Sequence, residues 1–355
     1  MTKVLVVSTS RKTRGGITAV LKLYEQSRMW QQYHCRWIGT HRDGGTLMKL
    51  WYLATAFIQY LFLLPFYDIV HIHFSLSTSA KRKYPFFRLA KMLGKKTVIH
   101  LHCGSQIDEI WSPVYQKMFE QCDCGILLSE SIKSKIVEHV SQSDKLRVIY
   151  NPCPLITDTS TYEKQNHILF SGTLYESKGY LDFIMAFAKI AQRYPDWRIV
   201  LAGNGEIERA RVKAHELDID KQVMLLGWVS GEAKHRAFSE AKALCLPSYA
   251  EGFPMAVLDA WAYGLPVITT PVGGIPDVAS DGDNMLLFNP GDIETLSEKL
   301  EMIISNQGQR NKLIIASQRL ATEVFSLENV TQQVAKIYDD LIDLRQRLGN
   351  NIYEK

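Results

Sequence analysis

The chain predicts an α/β protein built from two doubly wound, parallel-sheet halves. Three observations lead there. Its 355 residues exceed one typical domain and suit two of about 150 to 180 residues. Short apolar, β-branched runs recur in both halves, each bounded by turn residues and alternating with helical periods, which is the pattern of strands buried on both faces between crossover helices. The two halves also differ in charge. Residues 1–152 hold 21 Lys and Arg against 10 Asp and Glu, a balance of +11, and the remainder hold 20 against 27, a balance of −7. A first half this basic is expected to face a membrane surface or a phosphorylated substrate. Nucleic acid is not expected, because no recognisable binding module accompanies the charge. Six cysteines without Cys-x-x-Cys or metal-ligand spacing fit reduced thiols in a cytoplasmic protein. The opening residues enter a strand at once and show no signal-peptide pattern.

In the first half, Val4 to Val7 reads as the first buried strand, and Ile17 to Tyr24 as the helix after it. The intervening loop carries Arg11, Lys12, Arg14 and the pair Gly15-Gly16. Adjacent glycines before a helix let backbone N–H groups approach an anion, although a tight turn alone would also account for them. Leu50 to Phe66 is the most apolar stretch. A core helix and an interfacial membrane-docking helix both fit it, and it falls slightly short of a spanning helix. The basic series Lys81, Arg82, Lys83, Arg88, Lys91, Lys95 and Lys96 follows, as a solvated helix face or part of the same membrane surface. Strand ends carry His71-Ile-His73 and His100-Leu-His102. Residues two apart share a strand face, which would suit a metal, but no nearby acid completes a ligand set, and a neutral His hydrogen-bonding a ligand at the sheet edge is expected instead. Strands at Gly125 to Leu128 and Arg147 to Tyr150 complete the half, and Asn151 to Gln165 reads as a linker.

The second half alternates cleanly. Strands are expected at His167–Ser171, Trp197–Ala202, Val223–Leu226, Ala243–Leu246, Leu265–Thr269 and Met285–Phe288, with helices at Tyr180–Tyr194, Glu206–Leu217, Glu232–Glu240 and Met255–Tyr263. Between Leu246 and Met255 lies a polar loop with Glu251, and Asp259 stands about a turn and a half inside the next helix. Two carboxylates flanking a helix N-terminus suit a ligand that is anionic and rich in hydroxyls. Gly203-Asn204-Gly205 lacks the third glycine of a dinucleotide fingerprint. Asp218/Asp220 and Asp281/Asp283 are spaced like cation ligands but fall in surface-like stretches, so no metal is expected.

Glu251-Gly-Phe-Pro-Met-Ala-Val-Leu-Asp259, followed by Val272-Gly-Gly-Ile-Pro-Asp277 and Asp281 to Asp292, resembles the donor domain of retaining glycosyltransferases of family 4. Gly15-Gly16-Ile17, Asp68 to His73, His102, Asn151-Pro152, Gly172 to Gly179 and Phe325 to Val330 extend the resemblance over nearly the whole chain. It implies a GT-B fold: an acceptor-binding Rossmann-like domain over 1–160 and a nucleotide-sugar donor domain over 161–326, facing across a cleft, with helix 327–348 returning to the first.

The resemblance also implies roles. Glu251 lies beside the donor sugar, and backbone N–H groups of Gly252, Phe253, Pro254 and Met255, so far as each has one, bind sugar hydroxyls or phosphate. Asp259 stands where the family has a ribose-binding Glu. Lys178 grips the diphosphate, but Thr173 replaces the expected arginine, and Arg14, or less readily Arg11, is expected to substitute for it. Gly15 and Gly16 amides also face the diphosphate, His102 faces sugar and phosphate, and Gly203 and Gly227 border the base. The implied reaction is metal-independent transfer, with retained anomeric configuration, from a UDP- or GDP-linked sugar to a glycan acceptor, one carried on lipid during bacterial surface polysaccharide synthesis. The enzyme would be peripheral on the inner face of the cytoplasmic membrane. A same-fold nucleotide-sugar epimerase and a non-catalytic nucleotide- or glycan-binding relative are the alternatives.

Overall fold

The structure is a computed structural model that describes residues 1–353 apart from 76, 104–106, 108–110 and 157–161, with side chains described as far as Asp343. Residues 157–161 of the expected linker thus lie outside the described residues. The chain forms two compact units, Met1–Pro152 with Leu327–Lys355, and Cys153–Ser326.

The first unit contains six parallel strands: β1 (Val4–Ser8), β2 (Arg36–Gly39), β3 (Ile69–Phe74), β4 (Lys96–Leu101), β5 (Cys124–Leu127) and β6 (Leu146–Val148), in the order β2-β1-β3-β4-β5-β6. Sequence reading did not find β2. It has only Trp37 and Ile38 buried, and its first residue, Arg36, is exposed, so a four-residue edge strand leaves little periodicity to detect. The helix Leu327–Tyr353 belongs to this unit, where Tyr338 hydrogen-bonds His71 at 2.6 Å and Tyr33 donates to Asp339 at 2.7 Å.

Two expectations for this unit change. Leu50 to Phe66 is not a core helix: within the helix Thr46–Leu63 only Ala56 and Tyr60 are buried, while Leu47 is 84%, Trp51 69% and Phe62 75% exposed. Lys83 also leaves the basic surface series. It is fully buried and donates to Ser79 Oγ at 3.0 Å, and burial pushes its pKa well below the ordinary lysine value. Its position in the helix Ser77–Met92 turns it inward between exposed Lys81 and Arg88.

The second unit repeats the architecture with β7 (His167–Ser171), β8 (Arg198–Ala202), β9 (Val223–Gly227), β10 (Ala243–Leu246), β11 (Val267–Thr269) and β12 (Leu286–Leu287), all parallel, in the order β12-β11-β10-β7-β8-β9. The α/β, doubly wound class is therefore as expected. The chain winds outward from β7 through β8 and β9, then returns beside β7 as β10. That reversal opens a crevice outside the carboxyl ends of β7 and β10, the place where such sheets bind ligands. In the first unit the equivalent reversal lies between β1 and β3.

Candidate functional site

The loops that leave β7 and β10 carry the residues singled out by sequence. Lys178 ends the first loop and Glu251 lies in the second, and they meet: Lys178 Nζ donates to Glu251 Oε1 at 2.6 Å. Ser248 Oγ donates to the same oxygen at 2.7 Å. The carboxylate is thus held by a cation and a hydroxyl, with its side chain 12% exposed. Ser248, fully buried, was not predicted. Its signal was the Ser-x-x-Glu spacing, which lets a hydroxyl reach a side chain three residues on.

Glycines hold the two loops together. Gly179 adopts φ +67°, and a Cβ there would lie 2.0 Å from the Pro247 carbonyl oxygen, so the Lys178 turn sits directly on the Glu251 loop. Tyr249 N–H donates across the same seam to Ser177 O at 2.9 Å. On the other side, a Cβ at Gly273 would lie 2.4 Å from the carbonyl oxygens of both Glu251 and Gly252, and Gly274 N–H donates to Gly252 O at 2.7 Å. The Val272-Gly-Gly segment is therefore a backbone brace beneath the acid. Gly203 has a similar cause. A Cβ there would meet Gly172 O at 1.6 Å, because the loops after β7 and β8 zip together through Gly172 N–H to Ala202 O and Leu174 N–H to Asn204 O. Thr173 sits inside that zipped segment. Gly227 needs only its φ of +65°, with open space around it.

The helix Met255–Ala262 follows, with Pro254 as its N-cap. Phe253 is buried against Trp261 and Phe325, with ring centroids 6.1 and 5.1 Å away. It anchors the loop to the core while Gly252 and Met255 stay partly exposed. Asp259 is 6% exposed and accepts from Lys234 Nζ at 2.7 Å. Burial raises its pKa, and Lys234 pulls it back. Lys234, on the helix Glu232–Glu240, is a second site cation that sequence reading missed. Nothing in its spacing marks it, because the two helices are adjacent only in the fold.

In the first unit, Gly15 caps the helix Gly16–Tyr24 with φ 139°, and a Cβ there would meet nothing. Arg11 grips Glu25 through Nε at 3.0 and 3.2 Å and lies 4.6 Å over the Trp37 ring, whereas Arg14 is exposed and its backbone N–H donates to Asp43 at 3.1 Å. His71, His73, His100 and His102 form one array on β3 and β4, with centroid separations from 4.1 to 5.6 Å. His73 Nδ1 is 2.9 Å from His102 Nε2. Burial holds all four neutral, with His71 and His102 pushed down to about 3. Ring nitrogens of His71, His73 and His100 lie within 4.8 Å of one another. A tetrahedral ion needs them to converge to about 3.4 Å, and the His71 and His100 planes are nearly parallel, 6° apart.

The chain is similar to known proteins in sequence and in fold. Residues 156–320 match the family model of glycosyl transferases group 1. That segment contains the loops of Lys178 and Glu251. Among curated relatives, an uncharacterized glycosyltransferase of Methanocaldococcus jannaschii is 24% identical over 79% of this chain and 77% of its own length. The lipopolysaccharide 1,6-galactosyltransferase of Salmonella typhimurium is 28% identical over 52% of this chain and 53% of its own length, so that match spans about half of the relative. The Campylobacter jejuni GalNAc-alpha-(1->4)-GalNAc-alpha-(1->3)-diNAcBac-PP-undecaprenol alpha-1,4-N-acetyl-D-galactosaminyltransferase is 25% identical over 70% of each chain. Among solved structures, Anabaena HepE in complex with UDP and glucose aligns over 96% of this chain and 100% of its own, with TM-score 0.77 and 18% identity. The fold is the GT-B fold of glycosyltransferases, two six-stranded parallel sheets with flanking helices.

Proposed function

We propose that the chain is a retaining, metal-independent glycosyltransferase of family 4 that moves a sugar from a nucleotide-diphosphate sugar to a hydroxyl of a lipid-linked glycan. The observation that carries this reading is the Lys178–Glu251 pair at the crevice between β7 and β10. It offers a cation for a leaving diphosphate next to an acid for sugar hydroxyls. The acceptor hydroxyl attacks the anomeric carbon on the face from which the nucleotide diphosphate departs, and a leaving phosphate oxygen takes the hydroxyl proton. The enzyme supplies position and charge stabilisation, and no side-chain base is needed. Asp259, whose pKa burial raises and Lys234 pulls part of the way back, is assigned to the ribose, and UDP is the favoured nucleotide by analogy with the HepE complexes. In the first unit, Arg14, Gly15, Gly16 and His102 keep the anion- and sugar-contacting roles that the resemblance implies.

The acceptor's lipid is reached at a membrane. The helix Thr46–Leu63 has Leu47, Trp51 and Phe62 exposed and contains no Asp or Glu, with exposed Lys81 and Arg88 on the next helix. An apolar helix bordered by cations suits a peripheral site on an anionic bilayer.

A thermal-shift panel of nucleotide sugars, followed by donor turnover with and without glycan acceptors, tests the assignment. Stabilisation by one donor and acceptor-dependent release of its nucleotide support it. Conversion of donor to an epimer would instead establish the epimerase, and binding without any Glu251-dependent turnover a non-catalytic relative.

A further inference from the structure

The second unit carries a cationic cavity at the opposite edge of its sheet, outside everything assigned above. The cavity is about 350 Å³ and is lined by Lys164, Lys242, Arg310, Gln307 and Asn311, with Leu265 and Ile314 as apolar wall. Its position follows from the fold. Lys164 lies just before β7, Lys242 immediately before β10 and Leu265 just before β11, so these residues gather at the amino ends of the strands. Gln307 opens the helix Gln307–Arg319, and Arg310 and Asn311 follow in its first turns, adding the positive end of its dipole.

The three cations are held by neutral oxygens. Lys164 Nζ donates to Ala241 O at 2.8 Å, Lys242 Nζ to Asn166 Oδ1 at 2.5 Å, and Arg310 Nη1 to Ile304 O at 2.7 Å. No carboxylate lines the cavity, and among the described residues none pairs with these three. Lys242 and Arg310 are half-buried, Lys242 also lying 5.4 Å over the Trp197 ring, while Lys164 stands exposed at the rim. Like charges gathered without a counter-charge are unfavourable, and an anion would offset this. Burial pushes Lys164 down to about 8 and lowers Arg310, with no acid named among the causes. Elsewhere in this unit cations in comparable settings have acids, as Lys178 has Glu251 and Lys234 has Asp259.

We infer that this cavity is a second anion site, which takes a small phosphomonoester with its phosphate among Lys164, Lys242 and Arg310 and its organic part against Leu265 and Ile314. The volume, at the lower end for small-molecule sites, admits more than a bare phosphate. The two side-chain amides, Gln307 and Asn311, add neutral donors for phosphate oxygens.

The test is calorimetric titration of the full chain with phenyl phosphate and with inorganic phosphate. Wild-type protein is expected to bind both, phenyl phosphate more tightly. Lys164→Gln with Arg310→Gln should weaken cavity binding by about tenfold or more per cation removed, while Lys178→Gln leaves it unchanged. Asn311→Asp, which deletes no cation but places a carboxylate among them, should have the same effect as the double variant and guards against misfolding of the latter. Absence of binding in wild type overturns the proposal. So does binding that survives the double variant and Asn311→Asp, or binding lost only in Lys178→Gln.

Discussion

Lys178 Nζ lies 2.6 Å from Glu251 Oε1, joining loops that are 73 residues apart in sequence and adjacent only because β10 returns beside β7. The pair is a charge-assisted hydrogen bond in a partly desolvated crevice, and a bound diphosphate would compete for the same ammonium. Under the proposed function, the resting contact would hold the cation ready for the leaving diphosphate. Lys178→Ala is expected to lower kcat by about 10²- to 10³-fold, the usual effect of removing one such stabilising group. Donor turnover measured on protein with an unchanged melting curve decides it, and near-normal turnover removes Lys178 from the chemistry.

Asp259 and Lys234 make a second prediction, on stability. Lys234→Met strands a buried carboxylate and should cost about 2 kcal/mol at neutral pH, below the usual figure for a buried pair because the Lys234 side chain is 38% exposed. The sign with pH follows from the raised pKa of Asp259. Its stability contribution is fully present below the unfolded carboxylate value and is lost as pH rises through the higher folded value. Without Lys234 that folded value rises further, so the gap in Tm between variant and wild type should be widest near neutrality and close as pH falls below the carboxylate range. Calorimetry across pH checks this, and a gap that widens on acidification contradicts it.

The buried histidines titrate in the opposite sense. Folded-state values pressed down by burial, to about 3 for His71 and His102, mean that the unfolded chain takes up protons first. Stability should therefore fall as pH drops below the unfolded histidine value, by about 1.4 kcal/mol per pH unit for each histidine kept neutral. His100 has both ring nitrogens buried without a partner. His100→Leu should flatten that dependence by one histidine's share. A variant with the wild-type slope in an acid-to-neutral denaturation series would show that His100 does not contribute.

Much of this was legible in the residues. The buried strands declared themselves because parallel strands covered on both faces are uninterrupted apolar runs, as Val4 to Val7 and Ala243 to Leu246 are. Glu251 was legible from its place in the loop before a helix N-terminus, and Lys178 with the glycines at 179 and 273 through the resemblance of their motifs. Lys234 was not, because its partnership with Asp259 is purely tertiary, and Ser248 was passed over although its Ser-x-x-Glu spacing was there, because that spacing is common in polar loops. The inward turn of Lys83 was hidden for a related reason. Charge alone placed it on a surface, and only the packing of its helix decides which way a lysine stem runs.

The helix Thr46–Leu63 is the sharpest departure from the core role that its composition allowed, and it carries the last prediction. It is anchored to its unit through Tyr60, which donates to Phe86 O at 2.7 Å, through Phe57 and Tyr60 packed on Phe86 at 5.1 and 5.0 Å, and through Tyr52, whose hydroxyl accepts from Arg42 at 3.4 Å. Trp51 and Phe62 project away from that anchor, 69% and 75% exposed. Replacing both with Glu disturbs little buried surface but adds two charges that must be dehydrated on insertion and that repel an anionic surface. Flotation with vesicles containing anionic lipid should recover wild-type protein in the lipid fraction, more at low salt than at high, and should leave the Trp51→Glu, Phe62→Glu variant at the bottom. The variant's Tm and its acceptor-independent donor hydrolysis should match wild type, which separates loss of docking from loss of fold. Equal flotation of the two proteins, or salt-insensitive absence of both from the lipid fraction, would remove the membrane from the function of this helix.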